Sequence, residues 1–194
     1  GPSDIHSDEN HIYSELGYYY TQQGQAELLN RSVLSNGGKN LTGDSLFYDR
    51  NKGFGEAFRH VEFVDTIGKN MLVGDYCFYD QLNSYAFATD KAMAVDFSQG
   101  DSLYIHADTL QMYTFNFNTD SVFREARAFH KVRFYRTDVQ GVCDSLVFSS
   151  KDRCLTMYPA PIPSNKNQQL LGEQIMVYMN DSTIDWAHIQ NQAL

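Results

Sequence analysis

Gly43-Asp44-Ser45-Leu46-Phe47-Tyr48-Asp49 returns as Gly74-Asp75-Tyr76-Cys77-Phe78-Tyr79-Asp80, 31 residues on. Looser copies begin at Ala107-Asp108-Thr109-Leu110, Cys143-Asp144-Ser145-Leu146 and Gly172-Glu173-Gln174-Ile175. A second phrase follows the first two copies, with 13 residues from Asp44 to Ala57 and again from Asp75 to Ala88. It reads Ala57-x-x-x-Val61-x-Phe63-x-Asp65, then Ala88-x-x-x-Ala92-x-Ala94-x-Asp96, and it survives as Ala128-x-x-x-Val132-x-Phe134. Self-similarity at such a period marks a stacked array in which each unit buries its apolar face against its neighbours.

Between these phrases, short runs of alternating polarity are punctuated by turn-forming clusters such as Asp49-Arg50-Asn51-Lys52-Gly53, Thr66-Ile67-Gly68-Lys69-Asn70 and Ser98-Gln99-Gly100-Asp101. That spacing predicts an all-β chain of many short strands. Thirteen Tyr and thirteen Phe with one Trp, among 42% hydrophobic residues, fit strands better than helices. Leu16–Leu34 tolerates a helical turn at Gln25-Ala26-Glu27-Leu28-Leu29, although the repeat register favours strand. The Pro-rich stretch Tyr158–Asn165 is expected to be the longest irregular connection, because proline cannot donate to a ladder. We expect one repeat β-domain over 18–194, cut from a longer protein. Residues 1–17 are read as a loose N-terminus that begins with a cleaved-tag remnant, Gly1-Pro2-Ser3.

Residues two apart on a strand share a face, so Val61 points with Phe63, Ala92 with Ala94, and Val132 with Phe134. In the Gly-Asp phrase, Leu41 and Gly43 lie in one phase, and Leu46 and Tyr48 in the other. Apolar character therefore changes parity at the Gly-Asp step. A bulge or tight bend there, which glycine is the residue to permit, would reconcile both halves with one interior, stacking the bends in a column. The aspartates Asp44, Asp75, Asp108 and Asp144 are expected to cap backbone N–H groups at these bends. Alternation of small inward residues (Gly43, Gly74, Ala92, Ala94, Ala107) with large ones (Phe63, Leu72, Val132, Phe134) suggests a groove.

A formal net charge of −9 with 15 basic residues disfavours nucleic acid and anionic membrane surfaces. No stretch approaches the ~20 apolar residues of a membrane-spanning helix. Gly43-Asp44-Ser45-Leu46 and Gly100-Asp101-Ser102-Leu103 spell the nucleophile block of GDSL-type esterases, and Asp185-Trp186-Ala187-His188 supplies a late Asp-x-x-His. Such a nucleophile needs a strand, a sharp turn and a helix N-terminus, whereas Leu46–Asp49 continues as strand. The serine slot is also filled by Tyr76, Thr109 and Gln174 in sister copies, so no enzyme is expected. The acidic column is too widely spaced for a calcium ladder, and the histidines His6, His11, His60, His106, His130 and His188 show no metal-binding spacing. We expect no metal and no cofactor. Cys143 and Cys154 flank a hairpin turn and have the option of a bridge, while Cys77 reads as packing.

Four segments carry a family resemblance: Leu-x-Gly-Asp-x-x-x-Tyr-Asp at Leu41–Asp49 and Leu72–Asp80, Gly-x-Ala-x-x-x-Val-x-Phe-x-Asp at Gly55–Asp65, and Leu103-Tyr104-Ile105-His106-Ala107-Asp108-Thr109-Leu110. Over residues 18–194 the chain resembles the OstA-like (organic solvent tolerance, LptA-type) family of lipopolysaccharide transport, in its Bacteroidetes-type branch. The resemblance implies a folded antiparallel β-jelly-roll of V-shaped cross-section and a periplasmic location in a Gram-negative cell. It further implies a non-enzymatic role as carrier or bridge. Lipid A acyl chains of lipopolysaccharide would occupy its apolar groove, and other OstA-like domains would join it edge-to-edge. Lining positions carried over by motif slot are Leu41, Val61, Phe63, Leu72, Val95, Phe97, Ile105, Leu110, Val132, Phe134 and Leu146. The segment Thr114–Glu125 and the Pro-rich loop depart from the simple pattern. A structural or protein-interaction β-array with a filled interior is the alternative.

Overall fold

In a computed structural model, the described residues are 2–6, 10–36, 38–80, 82–98, 100–116, 119–158, 162–165, 168–169, 172–180 and 184–190. The described residues contain strands and turns and no helix, hence none long and apolar enough to cross a membrane. The strands are β1 (Ser3–His6), β2 (Asn10–Tyr20), β3 (Gln25–Asn36), β4 (Lys39–Asp49), β5 (Phe54–Asp65), β6 (Asn70–Asp80) and β7 (Tyr85–Asp96). They continue as β8 (Leu103–Phe115), β9 (Phe123–Arg136), β10 (Val139–Ser149), β11 (Cys154–Tyr158), β12 (Ile162–Asn165), β13 (Gln168–Gln169), β14 (Gln174–Met179) and β15 (Ile184–Gln190). The all-β antiparallel fold predicted from the repeat is present.

The chain forms two compact units, Gly1–Ala92 and Met93–Leu194. In the first unit β1 to β6 pair successively, each antiparallel to the next. In the second, β8, β9, β10, β11, β14 and β15 pair in that order. Strand order follows chain order, short connections being the least costly loops to close, except that β12 and β13 lie in the chain between the paired strands β11 and β14.

Two expectations are corrected. The N-terminus read as loose forms β1 and most of β2, since Ser3–His6 pairs residue for residue with His11–Ser14. Part of the Pro-rich connection, Ile162–Asn165, is a strand that pairs with β10, Pro163 lying opposite Gly141; residues 159–161 lie outside the described set. Within the departing segment Thr114–Glu125, Thr114 pairs with Arg124 and Phe115 with Phe123 at the paired ends of β8 and β9, and residues 117–118 lie outside the described set.

The bend exists, and the physical device differs from expectation. Register shifts fall between Thr42 and Ser45 in β4, His106 and Thr109 in β8, and Cys143 and Ser145 in β10, all at the (Gly/Ala/Cys)-Asp step. Across each shift the partner strand carries one extra residue: Phe58 to Val61 spans three steps where Tyr76 to Gly74 spans two. The extra length is taken up by adjacent residues in the left-handed region, namely Asn30-Arg31, Arg59-His60, Asp90-Lys91 and His130-Lys131. These are non-glycine pairs, exposed and polar, drawn partly from the Asn, Asp and His that tolerate this conformation best. Gly43 and Gly74 are absent from the positive-φ residues, so their role is spatial.

Burial follows the predicted parity switch. In β4 Gly43 and then Leu46 are buried, in β6 Leu72 and Gly74 and then Cys77, and in β8 Leu103, Ile105 and Ala107 and then Leu110. On the bulged strands the inward residues keep a spacing of four, as at Ala57 and Val61, Ala88 and Ala92, or Ala128 and Val132, because the extra residue restores the face.

Candidate functional site

The apolar interior is built row by row across the strands. In the first unit, register pairs Ile12 with Leu34, Leu34 with Leu41, Leu41 with Phe63 and Phe63 with Leu72. Ile12, Leu34, Leu41 and Phe63 are half-buried, and Leu72 closes the row at 3% exposure. Four interstrand steps of ~4.8 Å make a stripe of about 19 Å perpendicular to the strands. Beyond the bend a second row, Leu28, Leu46, Ala57 and Cys77, is buried throughout.

The second unit is tighter. Leu110, Ala128, Leu146, Met157 and Ile175 form one cross-strand row, and each is at most 1% exposed. Ile105 pairs with Phe134 in a further row, both buried. Of the eleven carried-over positions, Val61, Leu72, Val95, Ile105, Leu110, Val132, Phe134 and Leu146 are therefore buried, while Leu41, Phe63 and Phe97 are half-buried.

Gly43 and Gly74 do not hold space open. A Cβ on Gly74 would meet the Thr89 carbonyl oxygen at 2.9 Å and the Ala88 Cβ at 3.3 Å, so the glycine lets strand backbones approach. At Gly43 the nearest atom would be a Leu46 methyl at 3.3 Å. The expectation that Gly43 and Gly74 create a groove is corrected on this ground.

A second apolar face escaped the sequence reading. Phe47 and Phe54 lie 5.8 Å apart, Phe54 and Phe78 5.8 Å, Phe78 and Phe87 5.4 Å, and Phe58 and Tyr76 5.1 Å, as a ladder of half-exposed rings. Phe47 follows Leu46, so it points to the opposite face from the buried row. Tyr76 donates to Glu56 at 2.6 Å, and burial together with that carboxylate pushes its hydroxyl up to about 12. The signal was available: Leu46-Phe47 and Cys77-Phe78 are adjacent apolar residues, which no one-faced strand requires.

The outside of each bend is charged. His60 Nδ1 lies 3.2 Å from both Asp44 carboxylate oxygens, Lys91 Nζ 2.8 Å from Asp75, Lys131 Nζ 3.1 Å from Asp108, and His130 Nδ1 3.5 Å from Asp144. Each acid on one strand thus meets a side chain of the left-handed pair on its neighbour. The hydrogen bond from Lys91 holds the Asp75 carboxyl below its ordinary range, helped by the His60 backbone N–H, and Lys91 is raised in return. Capping of turn N–H groups belongs instead to the aspartates that end the phrases. Asp49 accepts Lys52 N–H, Asp65 those of Ile67 and Gly68, Asp80 that of Asn83, and Asp96 that of Ser98. The four predicted caps are thus chiefly partners of neighbouring side chains, Asp75 and Asp108 of lysines and Asp44 and Asp144 of histidines, with only Asp75 among their described contacts also taking a backbone donor.

Ser45 sits at the bend of β4, which runs on as strand to Asp49, and Ser102 directly precedes β8. Neither serine has the helix that a nucleophile elbow needs. Cys77, Cys143 and Cys154 are free and buried, and burial raises the thiols of Cys77 and Cys143 to about 12. Cys154 pairs with Ser149, six residues along β10 from Cys143, which is ~20 Å of strand and beyond any disulfide.

No family model and no curated protein matches this chain. Among solved structures it is similar to the crystal structure of LptH from Pseudomonas aeruginosa, the LptA homologous periplasmic component of the conserved lipopolysaccharide transport device. The identity is 11%, the match covers 72% of this chain and 74% of that one, and the TM-score is 0.32.

Proposed function

We propose that this chain is a non-enzymatic periplasmic carrier or bridge domain, which holds the lipid A acyl chains of lipopolysaccharide against its apolar interior on the way to the outer membrane. The observation that carries this reading is the half-buried row Ile12, Leu34, Leu41 and Phe63, an apolar stripe with area left for a guest. Burying a tail there would contribute ~0.8 kcal/mol per CH₂. Phe97, also half-buried, extends the set of accessible positions. The buried positions Val61, Val95, Val132 and Leu146 would act as walls rather than as contact surface.

Among the described residues β1 pairs with β2 alone and β15 with β14 alone. Each therefore offers an unpaired edge to which a like domain would add by strand pairing. The test is photocrosslinking in a Gram-negative periplasm, with a probe at Leu41 or Phe63 and a comparison probe at Phe134. Lipopolysaccharide should be captured from the two half-buried positions and not from Phe134. A folded protein that captures none at Leu41 and Phe63 defeats the carrier reading.

One observation favours the alternative of a filled β-array, namely the closed row Leu110, Ala128, Leu146, Met157 and Ile175. That reading predicts native mass spectra free of bound lipid after mild extraction from membranes.

A further inference from the structure

The β1–β2 hairpin assembles a cluster that spacing along the chain conceals. His6 and His11 are register partners, so their side chains leave the same face of the hairpin, and Asp4, two residues before His6, shares that face. The imidazole rings stack, with centroids 4.2 Å apart and planes 8° from parallel. His6 Nε2 lies 2.9 Å and His11 Nε2 2.8 Å from one and the same oxygen, Asp4 Oδ1. Two ring nitrogens and a carboxylate thus converge, one ligand atom from each residue lying within 4.8 Å of the others.

We propose that Asp4, His6 and His11 form a binding site for a borderline transition-metal dication of the Zn²⁺ class, which clamps the edge strand β1 onto β2. Zinc bound at ~2.0–2.1 Å by imidazole and carboxylate sets its ligand atoms about 3.4 Å apart in tetrahedral geometry. Rotation of exposed side chains covers the difference. Three protein ligands leave a position for water, and Asp4 and His6 are exposed, so the ion has a path in. Two nitrogen donors select Zn²⁺, Ni²⁺ or Cu²⁺ over Ca²⁺ and Mg²⁺, which take oxygen ligands. β1 is four residues long and, among the described residues, is held by β2 alone. An ion ligated from both strands would bind only the paired hairpin and would stabilise it by mass action.

The experiment is calorimetric titration of the full chain, free of added polyhistidine, with Zn²⁺, and with Ca²⁺ in parallel. One saturable Zn²⁺ equivalent is expected, with no Ca²⁺ binding at that site. His6→Ala and His11→Ala should each weaken Zn²⁺ binding by about tenfold or more, and Asp4→Asn by less. His188→Ala, on β15, should leave the affinity unchanged. Hydrogen exchange should slow at the β1 amides on adding Zn²⁺ and stay unchanged in the His6→Ala/His11→Ala variant, a readout independent of the titration. Absence of saturable Zn²⁺ binding, equal binding of Ca²⁺, or full affinity in the folded double-histidine variant would each overturn the site. If His11→Ala fails to fold, the exposed His6→Ala and Asp4→Asn variants decide in its place.

Discussion

The two units are built from one phrase and finished differently. In Gly1–Ala92 the row before the bend keeps part of its surface at Leu34, Leu41 and Phe63 and is sealed only where Leu72 closes it. In Met93–Leu194 the corresponding motif slots hold Ile105 and Phe134, and these are sealed at 4% and 3% exposure. The difference teaches that a repeat fixes which way a residue points and leaves open how much covers it. Phe63 and Phe134 occupy the same slot of the second phrase, yet only the first remains accessible.

The sharpest way to break this contrast is stability measurement by urea unfolding. Leu146→Ala, in the closed row, should cost about 2–5 kcal/mol, whereas Leu41→Ala should cost about 1 kcal/mol, as less area leaves water there. Equal losses would mean that the first unit is sealed as well, which would remove the physical basis for a guest.

Glycines give the next largest effect. Gly74→Ala drives a methyl into the Thr89 carbonyl and should cost about 1–3 kcal/mol, while Gly43→Ala meets a Leu46 methyl that can yield and should cost well under 1 kcal/mol. Indistinguishable unfolding midpoints for the two variants would show that the backbone approach at Gly74 relaxes without penalty.

The left-handed pairs come third. His60→Val places a β-branched residue at φ 49° and should destabilise by about 1–2 kcal/mol, whereas His60→Gly should be near neutral, the loss of the Asp44 contact being offset by relief of strain. Were valine tolerated as well as glycine, the bend would be softer than its dihedrals indicate.

The smallest effect is electrostatic. Asp75 is held below its ordinary value of 3.8, so its contribution is present above the usual carboxylate range and is lost as pH falls through the depressed value. Lys91 is raised above 10.5, so its share fades only as pH rises through that higher value. Lys91→Gln should therefore flatten the acid limb of the stability profile and leave stability near neutral pH little changed, because the pair is exposed. An unchanged acid limb would remove Asp75 from the account.

Much of the fold was legible because two periodicities coincide in the chain. The alternation within Leu41–Asp49 and Leu72–Asp80 requires strands, and the switch of apolar phase at Gly-Asp requires an extra residue to absorb it. Which strand supplies that residue was hidden. The reading favoured glycine, while the structure uses Asn30-Arg31, Arg59-His60, Asp90-Lys91 and His130-Lys131, side chains whose local preference is weak and whose strain the flanking ladders offset. The aspartates were misassigned for a related reason. Asp44 and Asp49 stand in one phrase with equal claim to a turn, and only the hairpin geometry shows that Asp49, 1% exposed, accepts the turn N–H while Asp44 faces His60. The His6–His11 pair was invisible because antiparallel pairing, not chain spacing, sets which residues are opposite.

The sequence by itself determined an all-β chain of stacked antiparallel hairpins with an inward apolar face and a bend in every phrase. These are properties of side-chain period and local backbone preference, repeated until they admit one answer. Tertiary structure alone decided which inward residues stay accessible, how the bends are bridged by charge, and that Asp4, His6 and His11 meet. Exposure and convergence depend on strands brought together across the ladder, and no local stretch of chain carries that information.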